Sequence, residues 1–244
     1  MVASSKFRLC AFLLLLLTFS VSGCSLHEPP RLLPVVNPPV FRPASPDQVK
    51  TLEEAIAAII TVCTQDLGFP PVDPFYLQVY NDANAYSYYT DGLPRLRTDK
   101  IRQTLAVPHE NRLHVNMEAA GGRSWGMVLR LLAHEYGHNL EFVLTGGAKP
   151  PGHWLREGFA DWIAAKVMDA LGWESYASSL SRAERELARF GPYLPRFEEL
   201  DRTGHWLWVL ERPKGRVGTH ALSFLAVHKL IEKRGATRMM DYFR

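Results

Sequence analysis

The sequence predicts an α+β fold, with a small N-terminal β-sheet ahead of a mostly helical C-terminal part. Short runs of aromatic and β-branched residues between positions 75 and 117 are typical of strands. From position 124 onwards, apolar residues recur at helical spacing over long stretches. No internal repeat is present, and the part that follows the N-terminal segments has about 195 residues, which suits one domain.

The first 23 residues have the layout of a secretory signal, because Lys6 and Arg8 precede the apolar run LCAFLLLLLTF and SVSG leads to Cys24. The apolar run is too short to span a bilayer comfortably. The ending VSGC resembles the bacterial lipobox, in which the cysteine is lipidated and becomes the first mature residue. That resemblance implies a lipid-anchored, extracytoplasmic protein of the bacterial cell envelope, and Ser25 favours the outer membrane in a two-membrane bacterium. A plain signal peptide and an uncleaved anchor are the alternatives.

Charge and cysteine usage exclude two classes of protein. The formal charge is 28 − 25 = +3, and it falls to 26 − 25 = +1 without residues 1–23, which hold two basic and no acidic residues. Since no dense stripe of Lys and Arg is present, no nucleic-acid partner is expected. Cys10 leaves with the signal and Cys24 would be acylated. Cys63 then has no intrachain partner, so no disulfide framework is expected.

Residues 24–48 are rich in proline and are predicted to form a tether, which assigns the folded domain to residues 49–244. Proline removes backbone donors and favours extended geometry. At ~3.1 Å per residue, such a tether could hold the domain up to about 70 Å from a lipid surface.

The domain is predicted to open with a helix in PDQVKTLEEAIAAIITVCTQDLG, with Asp47 near its N-cap and Gly68 at its end. FYLQVYNDANAYSYYT then suggests a strand that breaks into a loop. A second pair of strands is predicted in TLAVPHE and NRLHVNM, turned at His109–Glu110–Asn111.

The rest of the chain is predicted to be helical. SWGMVLRLLAHEYGHNLEFVL has Ser124 as its cap and ends at Gly146–Gly147, and WLREGFADWIAAKVMDALG ends at Gly172. Two or three further helices are expected in residues 174–190, 196–210 and 219–234.

The stretch LLAHEYGHNLEF contains an H-E-x-x-H motif. On a helix, His134 and His138 lie on the same face and can present two imidazole nitrogens to one ion. Glu135 is one step away and can act on a water without being a ligand. The motif arises by chance in about one chain in a hundred of this length, so the surrounding residues have to decide its meaning. The alternative is a solvated helix face with a salt bridge.

Glu157 is the candidate third ligand, because the GGAKPPGH loop can reverse the chain and turn this residue towards the two histidines. The pattern HExxH-x18-E, with the glutamate in an EGxA context, resembles the gluzincin metallopeptidases of the thermolysin-like and aminopeptidase N-like groups. The resemblance implies one Zn²⁺ held by His134, His138 and Glu157. It also implies that Asp161 accepts the free ring N–H of His134 and so fixes its orientation.

Other peptidase patterns are absent or only partly matched. The metzincin pattern fails, since it requires Gly and His where this chain has Glu141 and Leu144. The aminopeptidase N-like G-x-M-E-N stretch has VNMEA as its nearest match, so exopeptidase specificity is unsupported and an endopeptidase is expected. In gluzincins an edge strand before the zinc helix pairs with extended substrate, and NRLHVNM is placed to be that strand.

A donor to the oxyanion would complete the expected site. Thermolysin-like enzymes use a histidine and aminopeptidase N-like enzymes a tyrosine, which in many short gluzincin-like proteins opens a Y-x-x-S-x-F pattern. Here GTHALSFLAVHKL places His220 three residues before Ser223, so His220 is the candidate donor. A neutral His220 that donates an N–H would be adequate. Tyr193 is the reserve candidate, and a surface histidine at a helix N-terminus is the alternative for His220.

The expected function is therefore the hydrolysis of peptide bonds in extracytoplasmic proteins or peptides, with Glu135 as general base. A catalytically inactive zinc-binding envelope lipoprotein, acting as a binding or scaffold module, is the alternative. The remaining histidines of the domain are expected in loops, at the rim or in packing: His109, His114, His153, His205 and His228.

Overall fold

The computed structural model describes residues 29–35, 40–91, 104–148, 152–190, 194–211 and 215–243. Its strands are Arg31–Val35 (β1), Phe75–Tyr80 (β2), Ala106–His109 (β3) and Arg112–Asn116 (β4). Its α-helices are Leu52–Thr61 (α1), Ala83–Thr90 (α2), Met117–Ala120 (α3), Trp125–Leu144 (α4), His153–Ala170 (α5), Tyr176–Phe190 (α6), Phe197–Leu200 (α7), Thr203–Leu210 (α8), Gly215–Arg234 (α9) and Ala236–Met239 (α10). The predicted signal and Cys24 lie outside the described residues.

A four-stranded mixed sheet near the N-terminus and a helical C-terminal part confirm the predicted α+β class. The strand order is β1-β2-β4-β3, in which β2 and β4 are parallel and the outer pairs are antiparallel. The prediction that NRLHVNM forms the edge strand is wrong. It contains β4, whose two sides pair with β2 and β3, so the edge on this side is β3, in TLAVPHE.

Parts of the predicted tether, residues 24–48, belong to the folded domain. Residues 31–35 form β1 and pair antiparallel with β2. Proline is tolerated there because an edge strand needs only part of its backbone donors. Further on, the Phe41 N–H donates to Thr61 Oγ1 at 3.0 Å, and Arg42 forms a bidentate ion pair with Asp66. The folded part therefore begins well before the predicted boundary at residue 49.

Two helix starts differ from the predictions. α1 begins after Thr51 rather than near Asp47, because the Thr51 hydroxyl accepts from the Glu54 N–H and the Glu54 carboxylate accepts from the Thr51 N–H. The segment predicted as a loop after β2 is α2. The Asp82 carboxylate begins this helix by accepting from two of its backbone N–H groups.

The core lies between the sheet and α4, which packs against β3 and β4 on one side and α5 on the other. Its apolar face is buried in the main core through Leu129, Leu132 and Leu140. Ser124 caps α4 as predicted, through an N–H of its first turn. In the part of the chain that is described, no helix is long and apolar enough to cross a membrane.

Two glycines allow α4, α5 and α9 to approach one another closely. A Cβ on Gly137 of α4 would lie 2.8 Å from the Cα of Ala160 on α5. A Cβ on Gly158 of α5 would lie 2.3 Å from the carbonyl oxygen of Ser223 on α9. Carbon atoms in contact are ~3.5–4.0 Å apart, so neither position accepts a side chain without separating the helices. The glycines of HEYGH and REGFA thus set the spacing of the three helices that carry the candidate site.

Candidate metal centre

His134, His138 and Glu157 come together in a group that could hold a metal ion, with one ligand atom of each within 4.8 Å of the others. The two histidines lie one turn apart on α4, and Glu157 faces them from the second turn of α5. Its Oε2 atom is 3.4 Å from Nε2 of His134 and 3.6 Å from Nε2 of His138. Ligand atoms ~2.0–2.1 Å from a tetrahedral ion are about 3.4 Å apart, so these distances fit one such ion.

Asp161 orients His134. Its Oδ1 accepts a hydrogen bond from Nδ1 of His134 at 2.8 Å. A carboxylate only accepts, so Nδ1 carries the proton and Nε2, on the side of Glu157, supplies the lone pair for an ion. This is the contact that the gluzincin resemblance implied.

Glu141 orients His138, a role that the sequence analysis missed. Its Oε1 accepts from Nδ1 of His138 at 3.0 Å, and its Oε2 accepts from Nε of Arg156 at 3.0 Å. Glu141 and Arg156 are both buried, and the pair joins α4 to α5 beside Glu157. The available signal was the spacing, since Glu141 is three residues after His138 and therefore on the same helical face.

His153 contacts the other oxygen of Glu157, with Nε2 3.3 Å from Oε1. It is buried, and its ring lies 5.0 Å from that of Trp206 on α8. The sequence analysis expected this histidine in a loop, at the rim or in packing. Its position four residues before Glu157 on α5 was the signal that could have found the contact. His153 therefore contacts the ligand carboxylate, and Trp206 packs against the ring of His153.

His220 lies beside the metal group. Its Nδ1 donates to Oδ2 of Asp161 at 2.9 Å, and its ring centre is 5.9 Å from that of His134 and 5.4 Å from that of Trp206. Because Nδ1 holds the proton shared with the carboxylate, a neutral ring offers only a lone pair at Nε2. The expectation that neutral His220 donates to an oxyanion therefore changes, since only the imidazolium form can donate from Nε2. Tyr193 lies outside the described residues.

In the metal group, attraction between the histidines and the carboxylates has a larger effect on their pKa values than burial has. Burial disfavours a charged His138, yet Glu141 and Glu157 raise its pKa to about 10. In the same way Asp161 and Glu157 raise the pKa of His134 well above its usual range in spite of burial. Burial likewise opposes the charges of Glu157 and Asp161, but the neighbouring histidines lower the pKa of both carboxyls. Because the pKa values of both histidines are raised, binding of a metal ion has to displace protons from this group.

Glu135 is half-buried on α4, directly after His134. Burial raises the pKa of Tyr86 on α2, and the negative charge of Glu135 is the second cause of that shift. Tyr86 is fully buried, and its hydroxyl has no hydrogen-bond partner within the described ranges. α2 therefore lies near the candidate base, in the segment that was predicted to be a loop.

The other histidines lie away from the metal group. His114 is buried on β4, its Nδ1 pairs with the hydroxyl of Tyr80 at 2.8 Å, and burial lowers its pKa to about 4. The ring of His109 is tilted against that of His114 on the other strand of the hairpin, with ring centres 6.4 Å apart. His228 pairs with the hydroxyl of Tyr176 at 3.0 Å, and His205 is exposed.

Comparison of the chain with protein-family models, curated proteins and solved structures finds no match. The likeness to gluzincins therefore rests on the motif residues and on the geometry described above.

Proposed function

We propose that this protein is a zinc-dependent peptidase that hydrolyses peptide bonds in extracytoplasmic proteins or peptides. The observation that carries the proposal is the convergence of His134, His138 and Glu157, with Glu135 next to a ligand and Asp161 behind it. Two imidazoles and a carboxylate form a donor set that suits Zn²⁺. Three protein ligands leave a further position open, as in catalytic rather than structural zinc sites.

The chain's own residues supply the proton transfers. A bound zinc ion would lower the pKa of a coordinated water and polarise the scissile carbonyl. Glu135 takes the proton of the attacking water and passes it to the leaving amine. His220, as the imidazolium, donates from Nε2 to the developing oxyanion. Asp161 accepts from Nδ1 of His220 at 2.9 Å and offsets the charge of that ring.

We also propose that lipid on Cys24 anchors this domain to a bacterial membrane on its extracytoplasmic side, which is the periplasmic or surface face of the outer membrane in a two-membrane bacterium. β1 begins at Arg31, so only residues 25–30 separate the strand from the lipidated cysteine. Six residues of extended chain reach roughly 20 Å, far less than the predicted tether. The substrates of this peptidase would then be proteins or peptides that come close to the membrane surface.

The substitution Glu135→Gln tests the function, with Glu184→Gln on the exposed face of α6 as its matched control. We expect about one zinc per chain by elemental analysis in the wild type and both variants, since neither change removes a ligand. Wild type and control should cleave a mixed peptide pool in a chelator-sensitive manner. Glu135→Gln should lose at least ~100-fold in rate.

Three results would contradict the proposal in different ways. A protein that binds no zinc removes the metal assignment of His134, His138 and Glu157 together. A zinc-loaded wild type that cleaves nothing, or a biological phenotype that survives Glu135→Gln, supports the inactive binding module instead.

A further inference from the structure

A cavity of about 110 Å³ opens beside Asp161 and His220, in the space between α4, α5, α6 and α9. Its lining combines small apolar side chains with charged and polar groups, among them Ser179, Arg130, Arg182 and Glu186. Asp161 and His220 belong to both the cavity wall and the surroundings of the metal group. The candidate ligands and Glu135 do not line the cavity, so Asp161 and His220 form its link to the metal centre.

Two arginines on the cavity wall share one carboxylate. Arg130 lies one turn before His134 on α4, and its Nη2 donates to Glu174 and, at 3.1 Å, to Ser179 Oγ. Arg182 on α6 donates from Nη1 to both oxygens of the same Glu174, at 2.6 and 2.9 Å. One carboxylate for two guanidiniums leaves a positive charge uncompensated at this end of the cavity.

Both guanidiniums keep unused donors. Each guanidinium has N–H groups on three nitrogens. Within the described ranges, Nε and Nη1 of Arg130 and Nε and Nη2 of Arg182 donate to no other protein group, and both side chains are partly exposed. Burial and the like charge of Arg182 lower the pKa of Arg130, although the carboxylates of Glu174 and Asp161 act in the opposite direction. An anion placed between the two side chains would relieve this repulsion and satisfy the remaining donors.

The carboxylates that line the cavity do not provide that anion. Asp161 has one oxygen on His134 and the other on His220. Glu186 lies one helical turn after Arg182 on the same face of α6, and two turns from Ser179, which is about 10.5 Å along the axis. Neither forms an ion pair with the two arginines in the described part of the chain. The donor-rich end is thus formed by Arg130, Arg182 and Ser179.

We propose that this cavity is a specificity pocket for a carboxylate beside the scissile bond, either an Asp or Glu side chain or the free carboxyl terminus of a peptide. The peptidase part of this statement rests on the proposed function, whereas carboxylate binding by Arg130 and Arg182 does not. A charge-assisted, two-armed contact discriminates an acid from its amide, because the amide presents N–H groups to donors.

Binding of small probes tests the pocket without any catalysis. The purified chain is kept in chelator, so that no metal attracts the probes, and backbone NMR shifts of Ser179 and Ala183 are followed. N-acetylglutamate α-amide carries only a side-chain carboxylate, N-acetylalanine carries only a terminal one, and N-acetylglutamine α-amide carries none. We expect an acidic probe to bind and the amide to fail, and the acid that binds identifies the source.

Arg182→Gln should weaken binding of the acidic probe about tenfold. Arg185→Gln, at an exposed position on the same helix outside the cavity, should leave it within about twofold. Three outcomes would overturn the proposed pocket. They are equal binding of acid and amide, no binding of any probe, and an unchanged affinity in Arg182→Gln.

Cleavage sites in a peptide pool give the second readout, with the zinc-loaded wild type. Acidic residues or free carboxyl termini should be enriched next to the cleaved bond, and Arg182→Gln should remove the enrichment. Cleavage without an acid preference, or with a preference for Lys and Arg that points to Glu186, overturns the pocket and leaves the peptidase standing. Carboxylate binding without any cleavage overturns the peptidase and leaves the pocket standing.

Discussion

Removing Glu141 tests how the metal centre is held in shape. This carboxylate accepts from His138 on one oxygen and from Arg156 on the other, each at 3.0 Å. The side chains of His138 and Glu141 are only 4% and 2% exposed, so water cannot take the place of the lost carboxylate. Glu141→Leu should therefore affect both the folding of the chain and its affinity for zinc.

The two effects have different sizes and can be separated. Glu141→Leu leaves Arg156 charged and buried, for which losses of about 3–5 kcal/mol in the free energy of unfolding are typical. It also frees the ring of His138, and the loss of such a partner weakens metal binding about 10–100-fold, or ~1.4–2.7 kcal/mol. In the double variant Glu141→Leu/Arg156→Met, an apolar pair replaces the ion pair. That variant should recover most of the stability but none of the zinc affinity.

Urea unfolding of the metal-free proteins and zinc competition against a coloured chelator measure the two quantities. Glu184→Leu, at an exposed position on α6, serves as the control for loss of a glutamate. Wild-type zinc affinity in the double variant would refute the reasoning, because Glu141 would then contribute to folding and not to the ligand. An unchanged unfolding free energy in the single variant would show that the buried pair is not formed.

Two further predictions concern helix spacing and pH. Gly137→Ala adds a Cβ 2.8 Å from the Cα of Ala160, so it should lower the unfolding free energy by about 1–3 kcal/mol and weaken zinc binding. Wild-type values for both in that variant would mean that the two helices do not meet at this glycine. Metal-free protein should be most stable between about pH 4.5 and 6.5, the ordinary pKa values of Glu and His. The lowered pKa of Glu157 gives stability that is lost below this window. The raised pKa of His138 gives stability that is lost above it, as the pH rises towards about 10. Thermal unfolding with chelator measures this profile, and a profile that is flat from pH 6.5 to 10 contradicts it.

The helices and the strands of the hairpin could be predicted because their signals are local. Ser124, Gly146 and Gly147 mark the ends of α4 where the structure has them. The start of α1 was placed too early because Asp47 suggested an N-cap. The true start is the capping box of Thr51 and Glu54, which is also a local signal. α2 was missed because aromatic residues favour strands, and only the cap at Asp82 and packing on β2 and β4 make the segment helical.

The edge of the sheet could not be decided from the sequence. The two strands of a hairpin have similar sequence patterns. Which of them lies at the edge of the sheet depends on which one pairs with the parallel strand β2. The same holds for β1, since a proline-rich segment becomes a strand only when a neighbouring strand accepts it. Pairing between distant segments is a tertiary property, so the composition of residues 24–48 alone could not predict the strand.

In the metal group, too, some residues could be predicted from local sequence and others depend on tertiary contacts. The sequence by itself determined that His134 and His138 share one helix face, with Glu135 one residue after the first histidine, because i and i+4 spacing is a property of the helix alone. Spacing and resemblance pointed to Glu157 and Asp161. Only the tertiary structure showed the second set of contacts, in which Glu141 and Arg156 hold His138, His153 holds Glu157, and Asp161 serves His220 as well as His134. These contacts join residues on three helices, and the close approach of those helices at Gly137 and Gly158 depends on packing that no local pattern specifies.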